Sequence, residues 1–473
     1  MIKKRNFSSL FCLTIVLLFE ASSSQAKPNL IFIMADDLGY GDLGCYGQKL
    51  IKTPRLDQMA KEGMKFTRFY SGSTVCAPSR SVLMTGQHMG HTHVRGNAGG
   101  DMSRQSLRDI DLTVAEKLKE TGYKTALIGK WGLGEVGQEG HPLKQGFDYF
   151  YGYLNQVHAH NFYPEFLWRN QKKHALKNVV KPVSDKPRAG FMGGAATKRV
   201  EYSHDLFTAE ALTWIKANKE NPFFLYLPLT IPHANNEGTR MFGDGAEVPD
   251  YGIYEKENWT KQDKGQAAMI TRMDRDVGRL LDLLKELKIE ENTLVMFTSD
   301  NGPHNEAGHN PERFQPAGPL RGMKRTLTEG GIRVPTLAWW PNTIEPNSIS
   351  DQPFYFGDLM ATACDMTQSD MPLQTDSLSF LPTLKGKAEE QKRHKFLYWE
   401  FYERTFRQAV VMEDWKLIRS GMDNQRLELY DLKNDIHEDV NLIKEQPAVA
   451  QRMLSYMESA HVPHPNWTTP KRN

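Results

Sequence analysis

Two short acidic clusters lie far apart in the chain and could together bind a metal ion. Asp36 and Asp37 follow one apolar run, and Asp300 and Asn301 follow another. Three carboxylates and one amide oxygen suit Ca²⁺ or Mg²⁺ but not zinc, which prefers His and Cys. Without a cation, such carboxylates would repel one another and their pKa values would rise. The alternative interpretation is that Asp37 only caps a turn and that the sequence from Asp300 to Gly302 only forms one.

Cys76 is a further residue with a possible chemical role, because it begins a predicted helix. Pro78 favours the first turn of that helix, and Gly86 follows its end. The free N–H groups and the dipole of a helix N-terminus favour negative charge there. Two other interpretations stay open: a small buried cysteine, or a plain thiolate nucleophile with a histidine partner. Only Cys45, Cys76 and Cys364 remain once an N-terminal segment carrying Cys12 is removed, an odd number that a modified Cys76 would explain.

Short apolar runs that alternate with amphipathic helical segments predict an α/β fold. The expected architecture is a large central, mostly parallel sheet sandwiched by helices. The predicted strands of this sheet are 29–35, 125–128, 223–227 and 293–298. Open α/β sheets bind ligands beyond the carboxyl ends of their strands, so both acidic clusters should meet at one edge. Two polar stretches, 181–200 and 235–261, are predicted as a surface loop and an insertion that borders the site.

The C-terminal part of the chain has a different pattern. After a charged stretch near residues 389–395, four short strand-like runs precede one last helical segment. This predicts a smaller α+β subdomain with a short antiparallel sheet and a helix. The predicted division is a signal peptide at 1–26, a catalytic domain at 27–388 and the C-terminal subdomain at 389–473.

The N-terminus has the features of a secretory signal peptide. A basic group at residues 3–5 precedes the apolar run from Leu10 to Phe19, and Ala26 ends a small-residue cleavage pattern. The sequence therefore predicts an exported protein, periplasmic or secreted; the alternative is a membrane anchor. No later segment reaches the roughly 18 apolar residues of a membrane span. The net charge of +2 gives no indication of nucleic-acid binding.

The segment from Cys76 to Arg80, closed by Thr85 and Gly86, resembles a family signature. It is similar to that of the type I formylglycine-dependent sulfatases, arylsulfatase-like members of the alkaline phosphatase superfamily. Further segments resemble other motifs of this family, in the family's order: Asp36–Gly44, Gly129–Trp131, Pro232–His233, Asp300–Gly302 and Leu320–Pro335.

The resemblance implies hydrolysis of sulfate monoesters. Cys76 would be oxidised by a formylglycine-generating enzyme, and the hydrate of the resulting formylglycine would attack sulfur. Lys130, His233 and Lys324 would contact the sulfate, and Arg80 would hold the hydrate and the metal ligands. The implied ligands of Ca²⁺, or of Mg²⁺, are Asp36, Asp37, Cys76, Asp300 and Asn301.

The sequence departs from the family pattern at Gly132. The family usually has a histidine there, which helps to deprotonate the formylglycine hydrate, and glycine cannot do so. His91 and His93, shortly after the nucleophile helix, are the candidates to replace it.

The expected substrate is a sulfated carbohydrate of the galactan or glycosaminoglycan type, with galactose or N-acetylgalactosamine sulfate as the preferred sugar. Predicted substrate-binding residues, besides the three sulfate contacts, are His91, Arg95 and His304. Removal of sulfate from chain ends is expected because the two polar stretches could wall a pocket. Two alternatives stay open: a formylglycine-dependent phosphonate or phosphodiester hydrolase, and a non-catalytic calcium-dependent glycan-binding protein.

Overall fold

A computed structural model describes residues 27–98, 101–403, 405–422 and 426–469. The predicted signal peptide therefore lies outside the described residues. The strands, numbered in chain order, are β1 Asn29–Ala35, β2 Met64–Phe66, β3 Phe69–Tyr70, β4 Lys124–Lys130, β5 Tyr149–Tyr153, β6 Phe166–Arg169, β7 Lys172–Ala175, β8 Val179–Pro182, β9 Gly194–Lys198, β10 Phe223–Pro228, β11 Thr293–Ser299, β12 Thr336–Trp339, β13 Ser348–Ser350, β14 Phe354–Tyr355, β15 Leu397–Phe401, β16 Arg407–Met412, β17 Trp415–Ser420 and β18 Leu427–Asp431. The α-helices are α1 Pro54–Glu62, α2 Cys76–Thr85, α3 Val114–Glu120, α4 Gln156–Ala159, α5 Ser203–Asn218, α6 Asn236–Phe242, α7 Lys261–Leu287, α8 Pro311–Phe314, α9 Glu329–Ile332, α10 Asp358–Thr367, α11 Leu381–Leu384 and α12 Pro447–Ala460.

A ten-stranded sheet forms the centre of the large domain, in the order β13-β2-β12-β11-β1-β10-β4-β5-β6-β7. The five strands from β11 to β5 run parallel to one another. The next strand on each side, β12 and β6, pairs antiparallel. The sheet is thus parallel in its middle and mixed at its edges, and the predicted α/β class is confirmed.

Helices cover both faces of the sheet, which explains why its strands are apolar throughout. Every residue of β1 is buried. Leu30, Phe32 and Met34 pack into one hydrophobic cluster, to which α2, α3 and α10 contribute, and Ile31 and Ile33 pack into another with α1, α5 and α7. Because side chains alternate across a strand, a strand with two covered faces carries no polar face.

The C-terminal subdomain is an antiparallel four-stranded sheet in the order β15-β16-β17-β18. One face packs against α12, where Met453 and Met457 meet Val410 and Leu417. The α+β character of this part is confirmed. The boundary near residue 389 stays a prediction; the sheet itself starts at Leu397.

The two polar stretches contain more regular structure than expected. Residues 181–200 were predicted as a surface loop, and much of the stretch is exposed. That prediction is wrong in part, because β8 and β9 pair antiparallel and make it a hairpin. Residues 235–261 include the helix α6 and an exposed segment after it. Among the described residues, no helix has both the length and the apolar character needed to cross a membrane.

Candidate active site

Four adjacent parallel strands deliver the polar residues of the site to one edge of the sheet. Asp36 and Asp37 follow β1, and Asp300 and Asn301 follow β11 directly beside it. Lys130 is the last residue of β4. His233 lies in the loop after β10, the strand that lies between β1 and β4 in the sheet. The predicted meeting of the two acidic clusters thus follows from the order of the strands.

The carboxylates form one buried cluster with Cys76. Asp36, Asp37, Cys76 and His233 each place a potential ligand atom within 4.8 Å of the others. Burial, reinforced by the charge of Asp36, raises the pKa of Asp300 to about 7. Several carboxylates packed out of water are therefore costly unless cations neutralise them.

The side-chain amide of Asn301 is oriented in a way that suits a metal ligand. Its Nδ2 donates hydrogen bonds to Asp37 Oδ1 at 2.7 Å and to the carbonyl oxygen of Gly302 at 2.9 Å. Its Oδ1 is buried and accepts no hydrogen bond from the described residues. A buried amide oxygen without a partner is costly, and a hard cation satisfies it. The residues present therefore fit a divalent metal ion.

Cys76 begins α2, as predicted, and its sulfur faces the acidic cluster. Its Sγ lies 3.5 Å from Asp36 Oδ1. Burial raises the pKa of the Cys76 thiol, so the unmodified side chain is a neutral thiol. This opposes the interpretation of Cys76 as a plain thiolate nucleophile, because only the thiolate is strongly nucleophilic.

Arg80 lies one helical turn further along α2 and is fully buried. Its Nη2 donates to Asp300 Oδ2 at 2.8 Å and lies 3.9 Å from Asp36 Oδ2. Its Nη1 donates to the carbonyl oxygen of Lys130 at 2.7 Å. Arg80 thus joins the ends of three strands and offers an always-charged partner to two carboxylates.

Two buried lysines face the same carboxylates. The Nζ of Lys130 lies 2.6 Å from Asp36 Oδ2, and the Nζ of Lys324 lies 2.7 Å from Asp37 Oδ2. Burial disfavours the charged form of Lys324, but the charges of Asp37, Cys76 and Glu306 together outweigh it, so the pKa of Lys324 lies above its ordinary value. The backbone N–H of Lys324 donates to the carbonyl of Pro303 at 2.9 Å, which holds its loop beside the second acidic cluster.

His233 is held in one orientation as a neutral ring. Its Nδ1 lies 2.7 Å from the carbonyl oxygen of Ala234, so this nitrogen carries the proton and donates. Burial, and then the charge of Lys324, lowers the pKa of His233 to about 3. Its Nε2 is therefore an acceptor, 3.0 Å from the Nζ of Lys324.

A cavity of about 240 Å³ opens beside these groups. Its lining includes three of the predicted catalytic residues, Cys76, His233 and Lys324. Residues that the sequence did not single out also line it: Gln105, Gln156, Arg188, Asn236, Arg325 and Glu403. Arg188 and Asn236 belong to the two polar stretches that the sequence predicted as walls of the site. Gln156 belongs to α4, Glu403 to the C-terminal subdomain, and Gln105 and Arg325 to other segments of the large domain.

The predicted substrate-binding roles of His91 and Arg95 have no support in the structure. His91 is exposed, and its Nδ1 lies 2.9 Å from Asp376 Oδ2. Arg95 is buried and donates to the carbonyl oxygens of Gly90 at 2.7 Å and Val462 at 2.6 Å. Neither lines the cavity.

His304 and His93 also lie outside the cavity lining. His304 stands behind His233, with its Nε2 2.8 Å from the carbonyl oxygen of Pro232, and so braces that loop. His93 Nδ1 lies 3.0 Å from His464 Nε2. His93 and His91 thus have other partners than Cys76, which opposes their expected role in replacing a histidine at position 132.

Gly132 lies close to the side chain of Gln156. Its φ of +79° belongs to the left-handed region, and a Cβ there would meet Gln156 Cγ at 3.1 Å. Gln105 Nε2 donates to the carbonyl oxygen of Gly132 at 2.6 Å. A larger residue at position 132 would require Gln156 to move, so the glycine and this neighbour fit each other.

The family model described as Sulfatase matches residues 28–369, and that described as N-sulphoglucosamine sulphohydrolase, C-terminal, matches residues 323–461. The N-acetylgalactosamine-6-O-sulfatase of Bacteroides thetaiotaomicron is 29% identical, over 92% of this chain and 93% of that protein. The N-acetylgalactosamine-6-sulfatase of Homo sapiens is 32% identical, over 85% of this chain and 76% of that protein. The crystal structure of Ps i-CgsB in complex with k-i-k-neocarrahexaose superposes with a TM-score of 0.75 at 27% identity, covering 92% of both chains. The geometry of the site, the resemblance of its motifs and these matches agree: the chain belongs to the sulfatase family, the enzymes that hydrolyse sulfate esters.

Proposed function

We propose that this chain removes a sulfate group from a sulfated sugar, with N-acetylgalactosamine or galactose carrying sulfate at O6 as the preferred unit. The observation that carries the proposal is the position of Cys76, at a helix N-terminus and 3.5 Å from Asp36 in the buried cluster. Both relatives described above act, by their names, on the 6-sulfate of N-acetylgalactosamine.

Two groups that are not part of the translated chain complete the site in this proposal. Formylglycine made from Cys76 by a formylglycine-generating enzyme would supply the hydroxyl nucleophile, and a bound divalent cation would polarise the sulfate oxygens. Asp36, Asp37, Asp300 and Asn301 hold the cation, together with the oxygen of residue 76. Five oxygen-donating residues in a buried cluster favour Ca²⁺, with Mg²⁺ as the second choice.

The cationic side chains stabilise the charge that the reaction concentrates on oxygen. A sulfate ester keeps its negative charge on the nonbridging oxygens, and the leaving oxygen gains charge as the bond to sulfur breaks. Lys130 and Lys324 are buried and protonated, and they pair with Asp36 and Asp37 respectively. We assign to them the contacts with sulfate, and to Lys324 Nζ the proton that neutralises the leaving oxygen.

His233 and Arg80 position these groups. The neutral His233 accepts a hydrogen bond from Lys324 at 3.0 Å and so directs one Nζ proton. Arg80 holds the Asp300 carboxylate at 2.8 Å and thereby fixes a metal ligand. Both are fully fixed by other contacts, so they orient reacting groups at little entropic cost.

Action at chain ends is supported by the walls of the cavity. Arg188 and Ala189 come from the β8–β9 hairpin and Asn236 from α6, the two stretches that the sequence predicted to border the site. A cavity of about 240 Å³ suits one sugar unit and leaves little room for a polymer passing through. Sulfate release from internal units of long polymers at the same rate as from ends would contradict this part of the proposal.

Export belongs to the proposal as well. Residues 1–26 carry the basic, apolar and small-residue regions of a signal peptide, so we propose a periplasmic or secreted enzyme with a catalytic domain at 27–388 and a C-terminal subdomain at 389–473.

The experiment that tests the function is a screen of defined sulfated mono- and disaccharides, read by sulfate release from enzyme co-expressed with a formylglycine-generating enzyme. We expect the 6-sulfates of N-acetylgalactosamine or galactose to have the highest kcat/KM, and Cys76→Ala to abolish release. Nitrophenyl sulfate, phosphate and phosphonate esters, compared in parallel, separate the sulfatase from a phosphonate or phosphodiester hydrolase. Faster turnover of the phosphorus esters would contradict the proposal.

A further inference from the structure

Glu403 is the acidic residue among the described residues that line the cavity. It follows β15, so the C-terminal subdomain contributes it to a cavity whose other walls belong to the large domain. The charged residues that accompany it there are the cations Arg188, Lys324 and Arg325. The negative charge of a carboxylate weakens the attraction of this cavity for a sulfate ester. We therefore expect Glu403 to interact with a part of the substrate other than the sulfate.

The carboxylate of Glu403 has two partners and can accept further hydrogen bonds. Its Oε1 accepts a hydrogen bond from Asn97 Nδ2 at 3.1 Å, and its Oε2 lies 3.5 Å from Arg325 Nε. Its side chain is still 31% exposed, on the cavity side of these two contacts. An ionised carboxylate offers about four acceptor positions, so Glu403 can accept further hydrogen bonds but cannot donate one.

Asn97 connects Glu403 to the nucleophile helix. Its Oδ1 lies 3.4 Å from the N–H of Ala77, the residue after Cys76, and accepts a hydrogen bond from Gln156 Nε2 at 3.1 Å. The distances place Glu403 within two hydrogen bonds of α2. Cys76 and Glu403 line the same cavity, so a sugar whose sulfate reaches Cys76 can present a nearby hydroxyl to Glu403.

The backbone before Glu403 is held firmly. Glu400, three residues earlier, is fully buried and accepts hydrogen bonds from Tyr398 at 2.7 Å and Tyr402 at 2.5 Å. Arg95, which the sequence predicted as a substrate contact, lies 3.4 Å from the same carboxylate. Arg95 therefore connects the loop that contains Asn97 to β15, the strand that precedes Glu403.

We propose that Glu403 determines specificity by accepting a hydrogen bond from the free hydroxyl beside the sulfated position and by repelling a second sulfate there. A hydroxyl donates to the carboxylate, whereas a sulfate at the same place has no proton to donate and brings like charge. In N-acetylgalactosamine 6-sulfate, C5 carries the ring oxygen and no hydroxyl, so the free hydroxyl nearest to the sulfated C6 is the one on C4. This inference rests on the proposed function and deepens it: the substrate is a sugar with a single sulfate at this end.

The test compares N-acetylgalactosamine 6-sulfate with N-acetylgalactosamine 4,6-disulfate as substrates of the matured full-length enzyme. We expect wild type to prefer the monosulfate by at least tenfold in kcat/KM. Glu403→Gln removes the charge and keeps an acceptor for Asn97, so the preference should fall at least fivefold, with a gain on the disulfate. Glu445→Gln, an exposed residue of the same subdomain, is the matched control and should leave the preference unchanged.

Three other outcomes would overturn the role of Glu403, and the last of them would also overturn the proposed substrate class. Equal kcat/KM values of wild type for the two sugars overturn the role of Glu403 while leaving the proposed function intact. A preference that Glu403→Gln leaves unchanged does the same, provided that the variant keeps the melting temperature of wild type. Absence of sulfate release from both sugars, while nitrophenyl sulfate is hydrolysed, overturns the proposed substrate class and this inference with it.

Discussion

The Nζ of Lys324 and the Nε2 of His233 lie 3.0 Å apart, and the lysine is the donor. The histidine cannot donate from this nitrogen, because its Nδ1 proton is engaged with the carbonyl oxygen of Ala234 at 2.7 Å. The two side chains therefore act as a unit, in which a neutral ring orients a charged ammonium beside Asp37.

The first prediction follows from this pairing. Lys324→Ala and His233→Ala should each lower kcat by about 10² to 10³, the usual effect of losing one group that stabilises developing charge. The double variant should lose much less than the product of the two, because each side chain depends on the other. Steady-state kinetics on a sulfated sugar measure this, with exposed His437→Ala as the control. Fully multiplicative losses would show that the two residues act independently.

The second prediction concerns Asn301, the amide among the proposed metal ligands. Addition of Ca²⁺ at about one hundred times its Kd should stabilise the folded chain by about 2.7 kcal/mol, because the ion binds only the folded state. Asn301→Ala removes the buried oxygen that lacks a hydrogen-bond partner and should weaken calcium binding at least tenfold. Thermal unfolding with and without a chelator measures both effects, and exposed Asn434→Ala is the control. A chelator that leaves the melting temperature of wild type unchanged would contradict the metal site.

The third prediction concerns acid stability and His158, a buried histidine outside the reaction. Burial lowers the pKa of His158 from 6.5 to about 3. Between these values the unfolded chain binds a proton that the folded chain does not, so stability increases with pH across this window and is complete above 6.5. His158→Phe should reduce the slope of the unfolding free energy there by up to about 1.4 kcal/mol per pH unit. Denaturant titrations of both proteins at several pH values measure it, and identical slopes would refute the assignment.

The fourth prediction concerns the contact between the large domain and the C-terminal subdomain. Lys416 of β17 is fully buried, with Glu329 at 2.8 Å and Glu438 at 3.1 Å. Lys416→Met leaves two buried carboxylates facing each other and should destabilise the chain by about 3–5 kcal/mol. Lys387→Met breaks an exposed pair with Glu390 and should cost about 1 kcal/mol or less. Similar unfolding free energies for the two variants would contradict the structural role of Lys416.

The sequence was sufficient to predict that the two acidic clusters meet at one edge of the sheet, because their positions follow from strand order. Asp36 and Asp300 each end an uninterrupted apolar run, and such runs are the pattern of central parallel strands. The same logic located Cys76, since helix ends have their own signals. In both cases the functional residue lies at the end of a regular element, where its direction is fixed.

The walls of the cavity could not be predicted in the same way. Glu403 reaches the site only because the C-terminal subdomain packs on the large domain, and no local pattern encodes that contact. Arg95 and Asn97 lie in one irregular loop, yet only Asn97 lines the cavity. An irregular loop lacks the side-chain period of a strand or a helix, so tertiary contacts decide where its side chains point. For Arg95 these contacts are the carbonyl oxygen of Val462 and the carboxylate of Glu400.

The central claim is that residue 76, as formylglycine, carries sulfate-ester hydrolysis on a sulfated sugar. The most direct measurement is the rate of sulfate release from N-acetylgalactosamine 6-sulfate as a function of the converted fraction of Cys76, determined by mass spectrometry on preparations with different levels of the maturation enzyme. We expect the rate to rise in proportion to the converted fraction, on a straight line through the origin. A rate that is independent of the converted fraction, or full activity with the unmodified thiol, would contradict it.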